Sequence, residues 1–228
     1  MPSRKTGFLI TLEGVEGSGK STQISLLADL IRKRGRQVTL TREPGGTPLA
    51  DRIRATLLDL KNKTLTPFAE LLLYEIARRD HVETVIRPAL ARGNVVLCDR
   101  FTDATLAYQG FARGLSLSMI RTLNTIAAGG IVPHLTFLFD LPVREGLRRT
   151  RSRKRQPDRL DKEKQSFHER VRRGYLTLAR RERRFVIIDA SRDRKIVFEQ
   201  LCHAVEKRLF KNKASAARLS SQRTTGSR

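Results

Sequence analysis

Short apolar runs alternate with amphipathic segments along most of the chain. In the first amphipathic segment Ile24, Leu27 and Ile31 recur at helical spacing, and Gly35 ends the pattern. The apolar runs predict strands at residues 7–13, 36–43, 94–99, 135–141 and 183–191. The amphipathic segments predict helices at residues 21–35, 49–60, 66–93, 115–130 and 193–210. Because proline lacks a backbone N–H, we expect the third of these helices to bend or end near Pro88.

This order of elements predicts the fold. Strands that alternate with helices favour a parallel, doubly wound sheet surrounded by helices, which is a three-layer α/β fold. Ligands then bind at the carboxyl ends of the strands. Polar and charged residues gather at these ends, at positions 13–21, 42–46, 99–100, 140 and 189–192. We therefore expect a functional site along this edge of the sheet.

A glycine-rich stretch between the first strand and the first helix carries the strongest motif. The segment GVEGSGKS, at residues 14–21, matches the phosphate-loop pattern G-x-x-x-x-G-K-[ST] in the strand–loop–helix context that the pattern requires. Its backbone N–H groups suit phosphate oxygens, Lys20 suits the β- and γ-phosphates, and Ser21 suits Mg²⁺. The motif predicts a P-loop nucleoside triphosphate fold. The predicted ATP-binding residues are Gly14, Val15, Glu16, Gly17, Ser18, Gly19, Lys20, Ser21 and Thr22.

The charge of the chain is strongly positive. Its 46 lysines and arginines stand against 23 aspartates and glutamates, which gives a formal net charge of +23 in 228 residues. Such an excess favours polyanionic partners such as nucleotides, nucleic acid or an anionic membrane surface. We interpret residues 1–210 as one P-loop nucleotide-binding domain and residues 211–228 as a disordered basic tail, with nucleic-acid contact limited to weak binding by this tail.

Cysteine content and hydropathy exclude several classes of protein. The two cysteines form no metal-binding spacing and no disulfide framework. No apolar run approaches the length of a membrane span, and the N-terminal run is too short for a signal peptide. The sequence therefore predicts a cytoplasmic protein without a membrane partner.

The residues near the strand ends favour a small-molecule kinase over a hydrolysis-driven machine. Asp99 is followed by Arg100 rather than by the second acid that motor ATPases and helicases usually carry. An acceptor that is itself a phosphate needs cations more than it needs a strong base, because its oxygen is already anionic near pH 7. Arg42, Arg54 and Arg78 lie at or near the same edge as Arg100, so the four arginines are candidates for holding an acceptor.

A second arginine cluster follows the fourth predicted strand. Six arginines lie between positions 148 and 159. One interpretation is a mobile lid, spanning about residues 148–162, that closes over the triphosphate and supplies an arginine to the transition state. The other is a nucleic-acid-binding arm. The run contains no aromatic residue on which bases could stack, which favours the lid.

Together these motifs resemble bacterial thymidylate kinase from about Gly7 to about Leu209. The matching segments are GVEGSGKST, TREPGGT at 41–47, ARRDHVETVIRPAL at 77–90, DRFTDATLAYQG at 99–110 and DRLDKE at 158–163. The resemblance implies transfer of the ATP γ-phosphate to dTMP with Mg²⁺ as cofactor. It also implies a homodimer, for which the apolar segment around residues 67–79 is the candidate interface.

The resemblance also implies roles for individual residues. Arg78 would face the thymine, Arg100 the acceptor phosphate, and Asp99 would join Ser21 in arranging Mg²⁺. The expected catalytic residues are Lys20, Arg100, Arg153, Glu16 and Asp99. The expected acceptor-binding residues are Arg42, Pro44, Arg54, Tyr74, Arg78, Arg100, Thr105, Tyr108 and Gln109. Within the lid, Arg153 is the first candidate for the catalytic arginine, followed by Arg149 and Arg151.

Two other functions remain open on the residues alone. One is a different nucleoside monophosphate kinase on the same scaffold, since nothing in the spacing selects thymine over another base. The other is a nucleic-acid-binding P-loop ATPase, which the net charge favours.

Overall fold

The computed structural model describes residues 6–62, 64–152 and 156–211. Over these residues the chain forms a five-stranded sheet in which every neighbouring pair of strands is parallel. The strands are β1 (Phe8–Gly14), β2 (Val38–Arg42), β3 (Val95–Asp99), β4 (Leu135–Asp140) and β5 (Phe185–Asp189). Their order across the sheet is β2-β3-β1-β4-β5. All five predicted strands are confirmed, and all five carboxyl ends lie at one edge.

Helices cover the sheet between and after the strands. They are α1 (Lys20–Lys33), α2 (Pro48–Leu58), α3 (Pro67–His81), α4 (Arg87–Ala91), α5 (Thr102–Thr105), α6 (Leu117–Ala127), α7 (Val143–Arg151), α8 (Gln165–Ala179) and α9 (Arg194–Val205). Three π-helical segments extend or join them, at Val82–Ile86, Leu106–Ala112 and Glu206–Lys211. Since helices follow the strands throughout, the predicted three-layer α/β fold is confirmed.

The side chains of β1 divide between two cores. Ile10 and Leu12 belong to the larger buried cluster, which includes the apolar face of α1. Leu9 belongs to a second cluster with Val82 and Ile86 from the opposite layer. This alternation follows from the pleat of a strand that is buried on both faces, and it explains why β1 is apolar without interruption.

Two helical regions contain π-helical segments that the sequence did not predict, although the third helix does end near Pro88 as expected. The long third helix passes through Pro88 and ends at Ala91, with the π-helical segment Val82–Ile86 just before the proline. Proline has no backbone N–H and cannot donate the usual helical hydrogen bond. A π turn, which has wider hydrogen-bond spacing, lets the helix continue past this residue. The stretch from Thr102 to Ala112 is helical as well, although its short α-helical and π-helical pieces give no clear apolar period.

The arginine-rich segment begins as a helix. Its first arginines lie on α7, which runs to Arg151, and α8 begins at Gln165. Residues 153–155 and 212–228 lie outside the described part of the chain. The predictions for Arg153 and for the basic tail therefore remain predictions. No helix among the described residues is long and apolar enough to cross a membrane.

Candidate active site

A cleft of about 290 Å³ opens at the carboxyl edge of the sheet. It brings together most of the residues that the sequence singled out. The predicted residues that line it are Glu16, Gly17, Ser18, Gly19, Lys20, Ser21, Arg42, Pro44, Arg54, Tyr74, Arg78, Asp99, Arg100, Thr105, Tyr108 and Gln109. Gly14, Val15 and Thr22 do not line the cleft, nor do Arg149 and Arg151.

The phosphate loop wraps around the Lys20 side chain. The Nζ atom donates to the carbonyl oxygens of Gly14 at 2.9 Å and Val15 at 3.0 Å, and to Ser18 Oγ at 3.2 Å. Gly19 has a φ of 90° at the start of α1, a conformation that favours glycine and lets the loop turn into the helix. Burial and the nearby Arg100 lower the pKa of Lys20 to about 8, so an anion bound in the loop would find a cation with little hydration.

Ser21 and Asp99 meet across the loop, as expected for a cation site. Ser21 Oγ donates to Asp99 Oδ2 at 3.4 Å. The other carboxylate oxygen, Asp99 Oδ1, is buried and has no hydrogen-bond partner among the described residues. A hydroxyl and a carboxylate with one unpaired buried oxygen suit a hard cation such as Mg²⁺.

Arg100 forms a compact cluster with Glu16 and Tyr108. Arg100 donates to Glu16 Oε1 at 2.6 Å, and the Tyr108 hydroxyl donates to Glu16 Oε2 at 2.7 Å. The guanidinium also lies 4.9 Å from the centre of the Tyr108 ring. Burial alone would raise the pKa of Glu16, but Arg100 and Lys20 outweigh it and lower the pKa to about 2. Glu16 is therefore an anion between the two main cations of the cleft.

The backbone of Arg100 is held in an unusual conformation. Its φ is 72°, in the left-handed region that residues other than glycine rarely adopt. Hydrogen bonds fix the backbone on both sides: Arg100 N–H donates to Leu12 O at 3.0 Å, and Phe101 N–H donates to Glu13 Oε1 at 2.7 Å. The strained turn aims the arginine into the cleft rather than along the sheet.

Glu13 also bonds to the helix layer behind the site. Its second carboxylate oxygen accepts a hydrogen bond from the Tyr175 hydroxyl of α8 at 2.8 Å. Glu13 is fully buried, and burial together with the nearby Asp103 raises its pKa to about 8. This carboxyl joins the end of β1, the turn after β3 and α8.

Arg42 and Arg54 complete the cationic side of the cleft. Arg42 pairs with Asp51 at 3.2 Å and is largely exposed, whereas Arg54 donates to the carbonyl of Pro44 at 3.0 Å. Burial and the charges of Arg42 and Arg100 lower the pKa of Arg54, which shows how close the three cations lie. Three acids lie near these cations: Asp51 pairs with Arg42, Glu16 pairs with Arg100, and the charge of Asp158 partly offsets the lowering of the Arg54 pKa.

Arg78 lies at the other end of the cleft, in a dense polar network. It is 2% exposed. Its nitrogens donate to Glu43 Oε2, both carboxylate oxygens of Glu75, Asn124 Oδ1, Thr105 Oγ1 and the carbonyl of Phe101. Because so many acceptors surround it, the guanidinium plane is fixed with little freedom to rotate.

Gln109 lines the same end of the cleft and belongs to a second network. Its Nε2 atom donates to Glu70 Oε1 at 2.7 Å. Glu70 also accepts hydrogen bonds from Arg113 and from Arg159, which follows the arginine-rich run. Tyr74, one helical turn after Glu70, lines the cleft as well, and burial raises the pKa of its hydroxyl.

Helix α7, which leads into the arginine-rich segment, packs directly on the phosphate loop. A Cβ at Gly17 would lie 2.3 Å from the carbonyl oxygen of Gly146 in α7, so the two backbones touch. Arg149 donates to Glu145 at 2.8 Å and to the carbonyl of Ala190 at 3.2 Å. Thr150 is the residue of α7 that lines the cleft. The packing brings the lid segment to the predicted triphosphate site.

Sequence reasoning gave no role to the buried acids that hold these arginines and Gln109. They are Glu13, Glu43, Glu70 and Glu75, each less than 10% exposed. Three of them interrupt apolar stretches, namely FLITLEG and PFAELLLYEI. A carboxylate within an apolar stretch is itself a signal, since such a group is seldom fully buried without a partner.

Comparison with known proteins decides the family. The sequence model described as "Thymidylate kinase" matches residues 12–201, which is most of the chain. This chain belongs to the thymidylate kinase family. The resemblance found in the motifs is thereby confirmed, and family membership makes the chain a kinase, that is, a phosphotransferase. Phosphorylation of dTMP to dTDP is the known reaction of this family.

The similarity between this chain and individual relatives extends over most of their length. Thymidylate kinase from Citrifermentans bemidjiense is 54% identical over 193 residues, which cover 82% of this chain and 86% of that protein. Thymidylate kinase from Syntrophotalea carbinolica is 52% identical over 204 residues, covering 87% and 93%. The crystal structure of thymidylate kinase from Ehrlichia chaffeensis superposes with a TM-score of 0.72 at 32% identity and covers 88% of this chain and 99% of that one.

Proposed function

We propose that this chain transfers the γ-phosphate of ATP to dTMP and releases dTDP and ADP. The observation that carries the proposal is the convergence of two cation sets on one cleft. The phosphate loop supplies Lys20 on the donor side, and Arg42, Arg54 and Arg100 lie on the acceptor side. Two anionic nucleotides repel one another, so a site that joins them needs this arrangement of charge.

On the donor side, Lys20 is the proposed ligand of the β- and γ-phosphates. Its three present acceptors are neutral oxygens of the loop, and phosphate oxygens would be stronger acceptors for the same three N–H groups. Ser21 and Asp99 are the proposed residues that hold Mg²⁺. When bound, Mg²⁺ neutralises charge on the phosphates.

On the acceptor side, arginines rather than a base carry the reaction. The dTMP phosphate is already ionised near pH 7, so its oxygen needs no proton removed. Arg100 would bind this phosphate after exchanging the Glu16 carboxylate for a phosphate oxygen. Glu16 stays bonded to Tyr108, which keeps the released carboxylate next to the reacting groups. Arg78 and Gln109 are the proposed contacts of the base, at the far end of the cleft.

The segment of about residues 148–162 is the proposed lid. Since Gly146 packs on Gly17, closing the segment would place arginines next to the transferring phosphoryl group. Arg153 remains the first candidate for the catalytic arginine, with Arg149 and Arg151 as alternatives.

A homodimer is part of the proposal. Along α3 the large apolar residues Phe68, Leu72 and Ile76 recur every four positions, and their exposed fractions are 46%, 37% and 52%. A helix face of this kind on a monomer is costly in water, and a second copy of the same face would cover it. Light scattering of the full chain and of Ile76→Glu tests this, with a shift of the variant toward monomer expected.

A coupled assay with different acceptors tests the proposed reaction. With ATP and Mg²⁺, we expect ADP release to depend on dTMP and to exceed the rates with dUMP, AMP and GMP. A preferred acceptor other than dTMP would indicate a different nucleoside monophosphate kinase. Hydrolysis that needs nucleic acid and falls steeply with salt would instead indicate a nucleic-acid-binding ATPase.

A further inference from the structure

The carboxylate of Glu70 is the centre of a buried network next to the base end of the cleft. It lies on α3 and is fully buried. Oε1 accepts from Gln109 Nε2 at 2.7 Å and from Arg113 Nε at 3.3 Å. Oε2 accepts from the second branch of Arg113 at 3.2 Å and from Arg159. Both oxygens are therefore occupied, and two guanidinium groups set the plane of the carboxylate.

The contacts of the two arginines prevent this plane from turning. Arg159 also donates to the carbonyl of Leu57 at 2.8 Å, and Arg113 also pairs with Glu163 at 2.6 Å. Burial alone would raise the pKa of Glu70, but Arg113, Gln109 and Arg159 outweigh it and lower the pKa. An ionised carboxylate accepts hydrogen bonds and donates none.

This charge dictates the orientation of the Gln109 amide. Only the NH₂ group of an amide can donate to a carboxylate, so Nε2 must face Glu70 and the carbonyl Oε1 must point away from it. Gln109 lines the cleft together with Tyr74, Arg78 and Thr105. With Nε2 held by Glu70, the carbonyl Oε1 of Gln109 is available to a base as an acceptor.

We propose that Glu70 is a positioning residue for base selection, acting through Gln109. By fixing the Gln109 carbonyl toward the cleft, it favours a pyrimidine that carries a hydrogen on N3, as thymine and uracil do. Cytosine has a bare acceptor at N3, and two facing acceptors repel. A site built to hydrogen-bond one partner rejects an analogue that cannot complete the bond. This inference rests on the proposed acceptor reaction.

The variant Glu70→Gln tests the proposal because it keeps the size of the side chain and removes its charge. A glutamine at this position can donate or accept, so the Gln109 amide becomes free to present either end. We expect the ratio of kcat/KM for dTMP to that for dCMP to fall about tenfold, the size of one hydrogen bond. If dCMP turnover is too slow, its inhibition constant against dTMP provides the same ratio.

Phosphorylation of dUMP serves as the matched control. Uracil has the same N3–H as thymine and differs by the methyl group, so the dTMP to dUMP ratio should not change in Glu70→Gln. A purely structural role for Glu70 would lower the rates with all three acceptors together. Arg184→Gln provides the control for a lost ion pair: it breaks the pair with Asp103 but leaves every contact of Glu70 and Gln109, and it should lower the melting temperature without changing the dTMP to dCMP ratio.

Two further variants show whether Glu70 acts through Gln109. Glu70→Asp keeps the charge on a shorter side chain and should retain more selectivity than Glu70→Gln. In a Gln109→Ala background, Glu70→Gln should have no further effect on the ratio. If Glu70→Gln does not fold, Glu70→Asp is measured in its place, with a smaller fall expected.

The outcomes separate this inference from the proposed function. Wild-type protein that does not phosphorylate dTMP overturns both. Wild-type protein that prefers dTMP to dCMP, with an unchanged ratio in the folded Glu70 variant, overturns the role of Glu70 alone. A fall in the dTMP to dCMP ratio that persists in the Gln109→Ala background would also overturn it, since Glu70 would then act by another route.

Discussion

The phosphate loop touches α7, the helix that leads into the lid segment, at Gly17 and Gly146, yet the chain fixes the loop and the lid segment in different ways. In the loop, Lys20 takes its hydrogen-bond partners from two to six residues earlier in the sequence. The end of the lid segment depends on distant partners: Arg159 bonds to Leu57, 102 residues away, and to Glu70, 89 residues away. One region is encoded locally and the other by the assembled fold.

This difference has consequences for function. A locally bonded loop can keep its shape whether or not a nucleotide is bound, because its turns depend on glycines and on the start of α1. A segment attached at its two ends can move between them while the attachments hold. The proposed phosphate site therefore depends on local contacts and the proposed lid on distant ones, and substitutions should separate the two.

The largest expected effect comes from Lys20→Ala. Removal of this cation should lower kcat/KM for dTMP phosphorylation by about a thousandfold or more, because the charge acts on the phosphates in a poorly hydrated loop. The coupled assay measures the loss, and a thermal melt checks the fold.

Lys33→Ala is the matched control for Lys20→Ala. Lys33 lies on the same helix, is exposed, and should be replaceable with little effect on the rate. Comparable losses in both variants would contradict a special role for Lys20.

The next largest effect should come from the lid. Arg153→Ala is expected to lower kcat by about a hundredfold or more with a smaller change in KM, because its contact strengthens in the transition state. Arg149→Ala should cost less, since Glu145 and Ala190 already bind that guanidinium. Steady-state kinetics of both variants and of Arg151→Ala decide the assignment. A silent Arg153→Ala beside an impaired Arg149→Ala or Arg151→Ala would move the catalytic role one turn back, onto α7.

The sequence predicted the locally encoded features of this molecule. The strands, the phosphate loop and the position of the site follow from apolar runs and from one motif whose parts are adjacent in the chain. The helix from Thr102 to Ala112 was missed because its π turns shift the apolar period. The positions of Glu13 and Glu70 were not predictable, because their partners lie up to 162 residues away and only the folded sheet brings them together.

A smaller effect should appear in the pH dependence. With the pKa of Lys20 lowered to about 8, the lysine loses its proton as the pH rises through this value, and free enzyme then binds ATP poorly. We expect kcat/KM for ATP to fall about fivefold between pH 8 and pH 9, because the protonated fraction of Lys20 falls by that factor. At saturating ATP, kcat should stay level to higher pH, because the bound triphosphate stabilises the charged lysine.

The variant Lys20→Arg shows whether Lys20 is the group whose titration causes the alkaline fall. Arginine stays charged at these pH values, so the variant should be slower but should lose the alkaline fall. If the fall remains in Lys20→Arg with the same midpoint, it arises from a group other than Lys20.

The smallest effect on turnover should come from Glu13→Gln, which acts mainly on stability. A glutamine can accept from Phe101 N–H and donate to the Tyr175 oxygen, so it can keep Arg100 in its left-handed conformation. Glu13→Ala cannot, and it should lower kcat/KM for dTMP while leaving Lys20 in place. If Glu13→Ala and Glu13→Gln are equally active, the carboxyl is not needed to hold the Arg100 turn.

Unfolding experiments measure how the Glu13 carboxyl affects the stability of the fold. Its pKa is about 8 in the folded chain and 4.5 in the reference state, so between these values the folded state binds more protons. The wild-type free energy of unfolding should therefore fall as the pH rises from about 4.5 to about 8, by an amount on the order of a few kcal/mol from this group. Glu13→Gln mimics the protonated acid and should show a smaller fall in denaturant titrations at pH 5 and pH 8. Parallel curves for the two proteins would mean that Glu13 is ionised in the fold, and that the contact between the phosphate-loop strand and α8 depends on a charge.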